Sequence, residues 1–470
     1  MARARRVLPL ALLLVLATSP VVAHGQGTRR VSTFMNDAAA GSGQGASLST
    51  LLAQLFRFGS TEVELSLPGS LNSPFAGIQV HGNHFIPSAV ASNGSLLGFV
   101  TNFIGGAASN VPLTSAGGGT TFRFENGVPV ATTVSPGPIF AERAQTLGRG
   151  RAAIGVNRSQ TSYNQVRGVP LSDLRLVFTH ENITNAQFPG CDSLFAGNCA
   201  KMGFPAYEND IIRVNLNIHL ESSVTSFFFT YGLTDFMDLS VQVPFVQTTL
   251  RGSSVANIDP FGSGASHFFA GTNTAPVLQA AKSVEGDASG IGDVSARLKI
   301  GLGSGPKGSM ALLLDGRFAT GSASDLLGSG SFAGRALAVL SGRFENFSPH
   351  VNVGYLYRAG DLQNSAVLGT FGFDHLLAPW AMLGVDLISE FQVGDNKSQL
   401  PQQLTFDSPY TRTIDLTNIP NSRDDIVNGS FGFKLRTLDN LNTVANVLIP
   451  LNRGGLRPNL LWTIGAEYNF

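Results

Sequence analysis

Charge is what this sequence has least of. Lys, Arg, Asp and Glu make up 13% of its 470 residues, about half the ~25% usual in soluble domains. The 31 basic and 31 acidic side chains cancel to a formal net charge of zero. With no basic excess to displace phosphate counterions, nucleic acid is excluded as a partner. Long apolar runs are also missing. Beyond the first 25 residues no uninterrupted stretch reaches the ~20 residues a helix needs to cross a bilayer, which excludes a helical membrane bundle. Cysteine is scarce, with two in the whole chain. What remains is apolar and glycine-rich: 43% of residues are hydrophobic, 54 are glycine, and mean hydropathy is +0.14. So much apolar surface excludes a disordered chain.

The N-terminus reads as an export signal over residues 1–23. Arg3, Arg5 and Arg6 form its positive start, Val7 to Thr18 its apolar centre, and Val21-Val22-Ala23 a small-residue cleavage site, with a cut after Gly25 nearly as good. Removing it takes away three arginines and tilts the remaining chain toward acidic. Cys191 and Cys199 stand close together in the polar stretch FPGCDSLFAGNCAKM. In an exported protein such a pair is expected to form a local disulfide, with reduced thiols as the alternative. No ligand histidine stands near them, so a zinc site is not indicated.

From about residue 150 the chain alternates apolar and polar positions. A strand facing lipid on one side and a polar lumen on the other must do so. Leu460, Trp462, Ile464, Ala466, Tyr468 and Phe470 share one face of the last segment, and Leu461, Thr463, Gly465, Glu467 and Asn469 the other. The chain ends on phenylalanine, like the last strand of bacterial outer-membrane barrels. Trp462, Tyr468 and Phe470 are therefore the expected signal to the barrel-insertion machinery. Upstream, Ile212, Val214, Leu216, Ile218 and Leu220 alternate with Arg213, Asn215, Asn217, His219 and Glu221.

Twelve strands follow from this pattern: about 149–163, 210–232, 238–250, 291–302, 309–320, 332–345, 348–358, 366–375, 379–391, 425–437, 440–450 and 459–470. Their connections alternate long and short, as expected when short turns are periplasmic and longer loops external. The fold class is all-β, a transmembrane antiparallel barrel over 141–470 with about 12 strands. If 210–232 broke at Glu221-Ser222-Ser223 and Leu174–His180 supplied a strand, the count would be 14.

Residues 24–140 do not carry the barrel pattern and are expected to form a plug inside the lumen, or else a small periplasmic segment. Two short helices are expected there. One is capped by Ser49 and presents Leu51, Leu52, Leu55 and Phe56; the other is capped by Ser95 and presents Leu96, Phe99, Val100, Phe103 and Ile104.

Motifs for chemistry are few. Gly303-Ser304-Gly305-Pro306-Lys307-Gly308 fits GxGxxG, but a strand follows it, so it reads as a hairpin turn and not a nucleotide loop. His81 and His84 lack further ligands. No cofactor or metal is implied, and no nucleophile motif occurs, so an enzyme is not expected. Strand parity places twelve charges in the lumen: Arg297, Lys299, Asp315, Arg317, Arg335, Arg343, Arg358, Asp386, Glu390, Lys434, Arg436 and Glu467. They either pin the plug or steer polar groups of a passing solute.

Tyr231-Gly232-Leu233-Thr234-Asp235, followed by Met237-Asp238 and Val243-Pro244, resembles a signature of one outer-membrane family. So does Gly290-Ile291-Gly292-Asp293-Val294 with Arg297-Leu298-Lys299. Both are similar to the barrels of the MetA-pathway phenol-degradation family, relatives of the long-chain fatty-acid outer-membrane transporters. Phe318-Ala319-Thr320-Gly321 with Leu327-Gly328-Ser329-Gly330 resembles that family's next hairpin, with Ala319 where proline is usual. The resemblance covers about 225–360 and, more loosely, the last strands. It implies passive uptake of a small hydrophobic or aromatic ligand through a barrel held in outer-membrane lipid. The alternative is an outer-membrane anchor whose long external loops bind a partner.

Overall fold

The computed structural model describes residues 46–58, 91–108, 118–125, 128–136, 141–179, 210–261, 267–272, 274–361, 363–378, 380–406, 410–438 and 440–470. The expected export signal, Cys191, Cys199, His81 and His84 lie outside them.

Twelve antiparallel strands close into a barrel. We number the wall strands β1 (Ala152–Val166), β2 (Ile211–Thr234), β3 (Met237–Asp259), β4 (Ser295–Ser304), β5 (Gly308–Arg317) and β6 (Ala333–Gly342). β7 (Phe347–Arg358), β8 (Ala366–Ala378), β9 (Ala381–Gln392), β10 (Ile426–Leu438), β11 (Leu441–Pro450) and β12 (Leu456–Asn469) follow. Each pairs with the next in sequence, and β12 closes on β1 through a register that runs from Leu456 opposite Val166 to Asn469 opposite Ala153. The segment between β4 and β5 is a tight turn in which Gly305 N donates to Gly308 O at 2.8 Å. Short turns gather at one end of the barrel and the longer connections at the other.

Two places that suggest extra strands have a different origin. β2 does not break at Glu221-Ser222-Ser223; it runs unbroken and pairs with β3 along its whole length. Leu174–Thr179 is a strand, but it lies beside the upper end of β2, from Leu174 opposite Leu216 to Thr179 opposite Ile211. It therefore extends β1 upward and adds no crossing. In the same way Gln279–Ile291 flanks the upper part of β3 and then continues into β4. Between Ile291 opposite Phe245 and Ser295 opposite Gln242 it holds one residue more than its partner, a bulge at Gly292-Asp293-Val294.

These pieces make a four-stranded blade above the rim, and polarity inverts along it. In the lower part of β2, Phe227, Phe229, Tyr231 and Leu233 point outward and are exposed. Ser222, Ser226 and Thr230 point inward and are buried. In the upper part Ile212, Val214, Leu216, Ile218 and Leu220 are the buried face, while Arg213, Asn215, Asn217 and His219 are exposed. The period of two is the same in both halves. The apolar face read from the sequence as lipid-facing at 212–220 is instead the wall of an apolar core above the barrel.

That core takes the N-terminal helices. Helix α1 (Leu48–Gln54) is capped by Ser47, whose Oγ accepts from Thr50 N at 3.3 Å. Ser49, the expected cap, instead donates its N–H to Ser324 O at 2.9 Å. The second helical run starts earlier than expected. It comprises α2 (Ala91–Gly98), a π turn over Phe99–Phe103 and α3 (Ile104–Ala108). Asn93 anchors its start, donating to Thr179 O at 2.7 Å and accepting from Thr179 N at 3.1 Å. Ser95 thus falls inside the helix. Leu51, Leu52, Leu55, Phe56, Leu96, Val100 and Ile104 are almost fully buried against the blade. At roughly 2 kcal/mol each, that contact accounts for how helices too short to persist alone are held.

Around the barrel below the blade, large apolar side chains stay exposed on the outward faces, among them Leu239, Leu314, Leu340, Val353, Phe371, Leu387, Phe431 and Ile464. Aromatics mark both edges of this band. Phe236, Phe344, Phe347, Trp380 and Phe470 stand near the short turns, and Phe318, Phe332, Tyr357 and Phe391 near the long loops. Such a band is favourable against hydrocarbon and unfavourable against water. Among the described residues no helix is long and apolar enough to cross a membrane.

Candidate functional site: a charged lumen crossed by its own chain

Eleven of the twelve charges singled out in the sequence lie on strand faces opposite the exposed apolar side chains, and Arg343 directly follows the last residue of β6. What they meet there is a segment of the chain itself. Residues 141–149 precede β1 and cross the half of the lumen nearest the short turns; Ala141, Glu142, Arg143, Ala144 and Leu147 are buried. The sequence boundary at 140/141 groups these residues with the barrel, yet they form no strand before Ala152.

Adjacent opposite charges tie this segment to different strands. The Glu142 carboxylate lies 3.5 Å from both Arg297 and Lys299 of β4. Arg143 forms an ion pair with Asp374 of β8 and donates to Ser348 O of β7 at 3.2 Å. The backbone is gripped as well. The Asn352 amide donates to Glu142 O at 3.1 Å and accepts from Glu142 N at 2.8 Å. Ala144 N donates to Ser341 Oγ at 3.0 Å, and Leu147 N to the Asp238 carboxylate at 2.9 and 3.1 Å. Arg149 N donates to Asp235 Oδ1 at 3.2 Å.

The chain then passes against Gly232, exchanging hydrogen bonds of 2.9 Å from Gly150 N to Gly232 O and from Gly232 N to Arg151 O. A Cβ on Gly232 would overlap the Gly148 carbonyl. Gly232, Asp235 and Asp238 all belong to the sequence signature that begins at Tyr231. From sequence that signature marks a turn. Its further role is to hold the crossing segment, and no sequence signal beyond the isolated Glu142-Arg143 pair points to that segment.

The second signature acts in the same way at the other end. Asp293, in the bulge above β4, accepts from Gly321 N at 3.1 Å, Ser329 N at 2.8 Å and Ser329 Oγ at 2.6 Å. It fastens the β5–β6 connection over the rim.

Charges along the wall are joined in chains. Arg297 and Arg335 both donate to Asp315 Oδ2, at 3.0 and 2.6 Å. Arg358 donates to Glu390 at 2.7 Å. Asp386 meets His350 Nε2 at 2.7 Å. Lys434 and Glu467 are within electrostatic reach of each other. Arg317 lies at the top of β5, and Arg343 and Arg436 stand near the short turns. Pairing of this kind offsets the cost of burying a charge. On the outside of β12, the Tyr468 and Phe470 rings meet edge-on at 4.9 Å; Trp462 is half-buried on the same face.

Between the crossing segment and the helices lies a cavity of about 260 Å³. Phe103 and Ala107 bound it from above and Glu142 from below. Its walls combine Arg317, Arg335, Arg358 and Arg457 with Leu337, Leu356, Leu368, Ile388, Leu448 and Leu461. Among the described residues no cluster of His, Cys, Asp and Glu could hold a metal ion.

No family model matches the chain, and no curated protein matches it. Solved structures similar to it include an outer membrane channel from Pseudomonas putida, 11% identical over 70% of this chain and 99% of that one, with a TM-score of 0.38. A FadL homologue from Pseudomonas aeruginosa is 9% identical over 68% of this chain and 88% of that one, TM-score 0.30. OprB from Pseudomonas putida is 7% identical over 69% and 94%, TM-score 0.25.

Proposed function

We propose that the protein is an outer-membrane channel for passive uptake of small hydrophobic or aromatic compounds. The observation that carries this reading is the closed twelve-strand barrel with its apolar outer band and an internal cavity lined in part by leucine and isoleucine. In this reading the band sits in lipid, the short turns face the periplasm and the blade stands outside the cell. An N-terminal signal exports the chain, and its aromatic last strand is offered to the insertion machinery. The signatures at 231–244 and 290–299 support a relation to the MetA-pathway phenol-degradation barrels. Movement through such a channel is downhill.

Full-length protein reconstituted in liposomes should accelerate entry of phenol or a similar aromatic probe over empty liposomes. No acceleration across several such probes sinks the proposal. The blade favours a second reading, an anchored surface protein that binds a partner outside the cell. Shortening the 392–424 connection separates the two: a channel alters its flux, whereas an anchor has none to alter.

A further inference from the structure

The cavity has both cationic and aliphatic walls. Arg317 ends β5, Arg358 ends β7, Arg335 is near the top of β6 and Arg457 near the top of β12. Leu337 and Leu356 lie two residues below Arg335 and Arg358 on the same inward faces, and Leu368, Ile388, Leu448 and Leu461 are likewise below the strand tops. Guanidinium groups therefore stand near the strand tops, beside Ile426, Leu456 and Phe103, and further aliphatic side chains line the wall below them.

The carboxylates on this wall are all engaged. Glu142 faces Arg297 and Lys299, neither of which lines the cavity. Asp315 is shared between Arg297 and Arg335. Glu390 takes Arg358, and Asp424 takes Arg167 from outside the cavity. The hydrogen-bond acceptors of Arg457 among the described residues are neutral, Val427 O and Asn452 Oδ1, each at 2.9 Å; the nearby carboxylate within electrostatic reach is Glu390, which Arg358 already holds. The Nε–H groups of Arg335 and Arg457 are buried without a hydrogen-bond partner among those residues. A buried donor on a cation that meets no acceptor is unfavourable, and an incoming anion would relieve it. Arg317 is within electrostatic reach of Asp315 and Asp293 as well as of Arg335 and Arg358; because Asp315 is already shared by Arg297 and Arg335, cations outnumber carboxylates on this wall.

We propose that this cavity takes a small organic carboxylate, an aromatic or medium-chain acid, with its carboxylate among the arginines and its apolar body against the leucine and isoleucine side chains. This deepens the channel reading and rests on it for the route by which the acid arrives. A volume of about 260 Å³ suits a single aromatic ring or a short chain. The planar forks of arginine match a carboxylate in two-point contact.

Calorimetry on the purified full-length protein in detergent tests the site directly. At pH 7 benzoate and octanoate should bind at least about tenfold more tightly than benzyl alcohol and octanol, the scale of a hydrogen bond to a charged group. Arg335→Gln and Arg457→Gln should each weaken benzoate by about tenfold or more, and Arg335→Lys should fall between Arg335→Gln and the parent. Heat-dependent migration on gels confirms that each variant is a folded barrel. Equal affinity for acid and alcohol overturns the inference, as does benzoate binding unchanged in both glutamine variants. Liposome flux reads the channel separately. If phenol crosses but no acid binds, the channel stands and the carboxylate site falls. If acids bind with the expected preference but nothing crosses, the site stands and the channel reading falls.

Discussion

Arg167 holds Asp424 with both arms of its guanidinium, Nε to Oδ1 at 2.7 Å and Nη2 to Oδ2 at 2.8 Å. The same guanidinium lies over the rings of Phe99 and Phe103, 5.1 and 5.4 Å from their centroids. A residue just past β1 thereby joins the helical cap to the connection before β10. Its backbone is in the left-handed region, with φ of 48°, uncommon for a residue with a side chain. Both groups are buried, so removing one leaves the other as an uncompensated charge. Arg167→Ala should destabilise the cap by about 3–5 kcal/mol. Limited proteolysis checks this: cleavage within 46–108 should quicken while the barrel keeps its heat-dependent gel migration. Unchanged cleavage would mean that the aliphatic contacts alone hold the cap.

Gly232→Ala places a methyl group where the Gly148 carbonyl lies. Strand β2 is fixed by partners on both sides, so the crossing segment must yield. In a background carrying Gln145→Cys, maleimide labelling from the short-turn side should be several-fold faster with Gly232→Ala than without it. Equal labelling rates would show that residues 145–150 can absorb the methyl in place.

Glu142→Gln leaves Arg297 and Lys299 sharing a neutral amide. The local cost is of the order of 3–5 kcal/mol if nothing relaxes; it falls on the crossing segment, because Arg297 keeps Asp315 and Gln242. Pairing it with Arg143→Gln removes the opposite anchor. Single-channel recordings in planar bilayers should show larger or more frequent openings for the double variant than for either single one. A conductance unchanged from the parent would argue that the segment is held by its backbone hydrogen bonds.

Much of the barrel was legible in the sequence because its wall obeys one local rule. Alternation fixes which side chains face inward regardless of what they meet, and so it places Arg297, Asp315, Lys434 and Glu467 on inward faces without knowledge of their partners. It cannot say what lies outside a strand. Ile212 to Leu220 alternates just as Phe227 to Leu233 does, yet one apolar set packs on helices and the other is exposed. The distinction depends on the height of each residue in the fold, which period two does not encode. The crossing segment was hidden for a different reason. Residues 141–149 have neither helical nor strand periodicity; their contacts are to residues far along the chain, such as Asp374 and Asn352.

In the channel reading the inversion of polarity along β2 sets the membrane boundary between Glu221 and Phe227, and substitutions on the outward face measure it. Phe229 is exposed in the apolar band and Asn217 is exposed on the blade, and they lie on the same face of one strand. Phe229→Arg should cost about 2–4 kcal/mol near the middle of the bilayer and less toward either surface. Asn217→Arg trades one polar group for another in water and should fall within about 0.5 kcal/mol of the parent, as surface substitutions do. Denaturant titrations of the barrel folded into lipid vesicles give both values. If the two arginines cost the same, the band does not face hydrocarbon at Phe229, and the barrel's placement in a membrane fails with it.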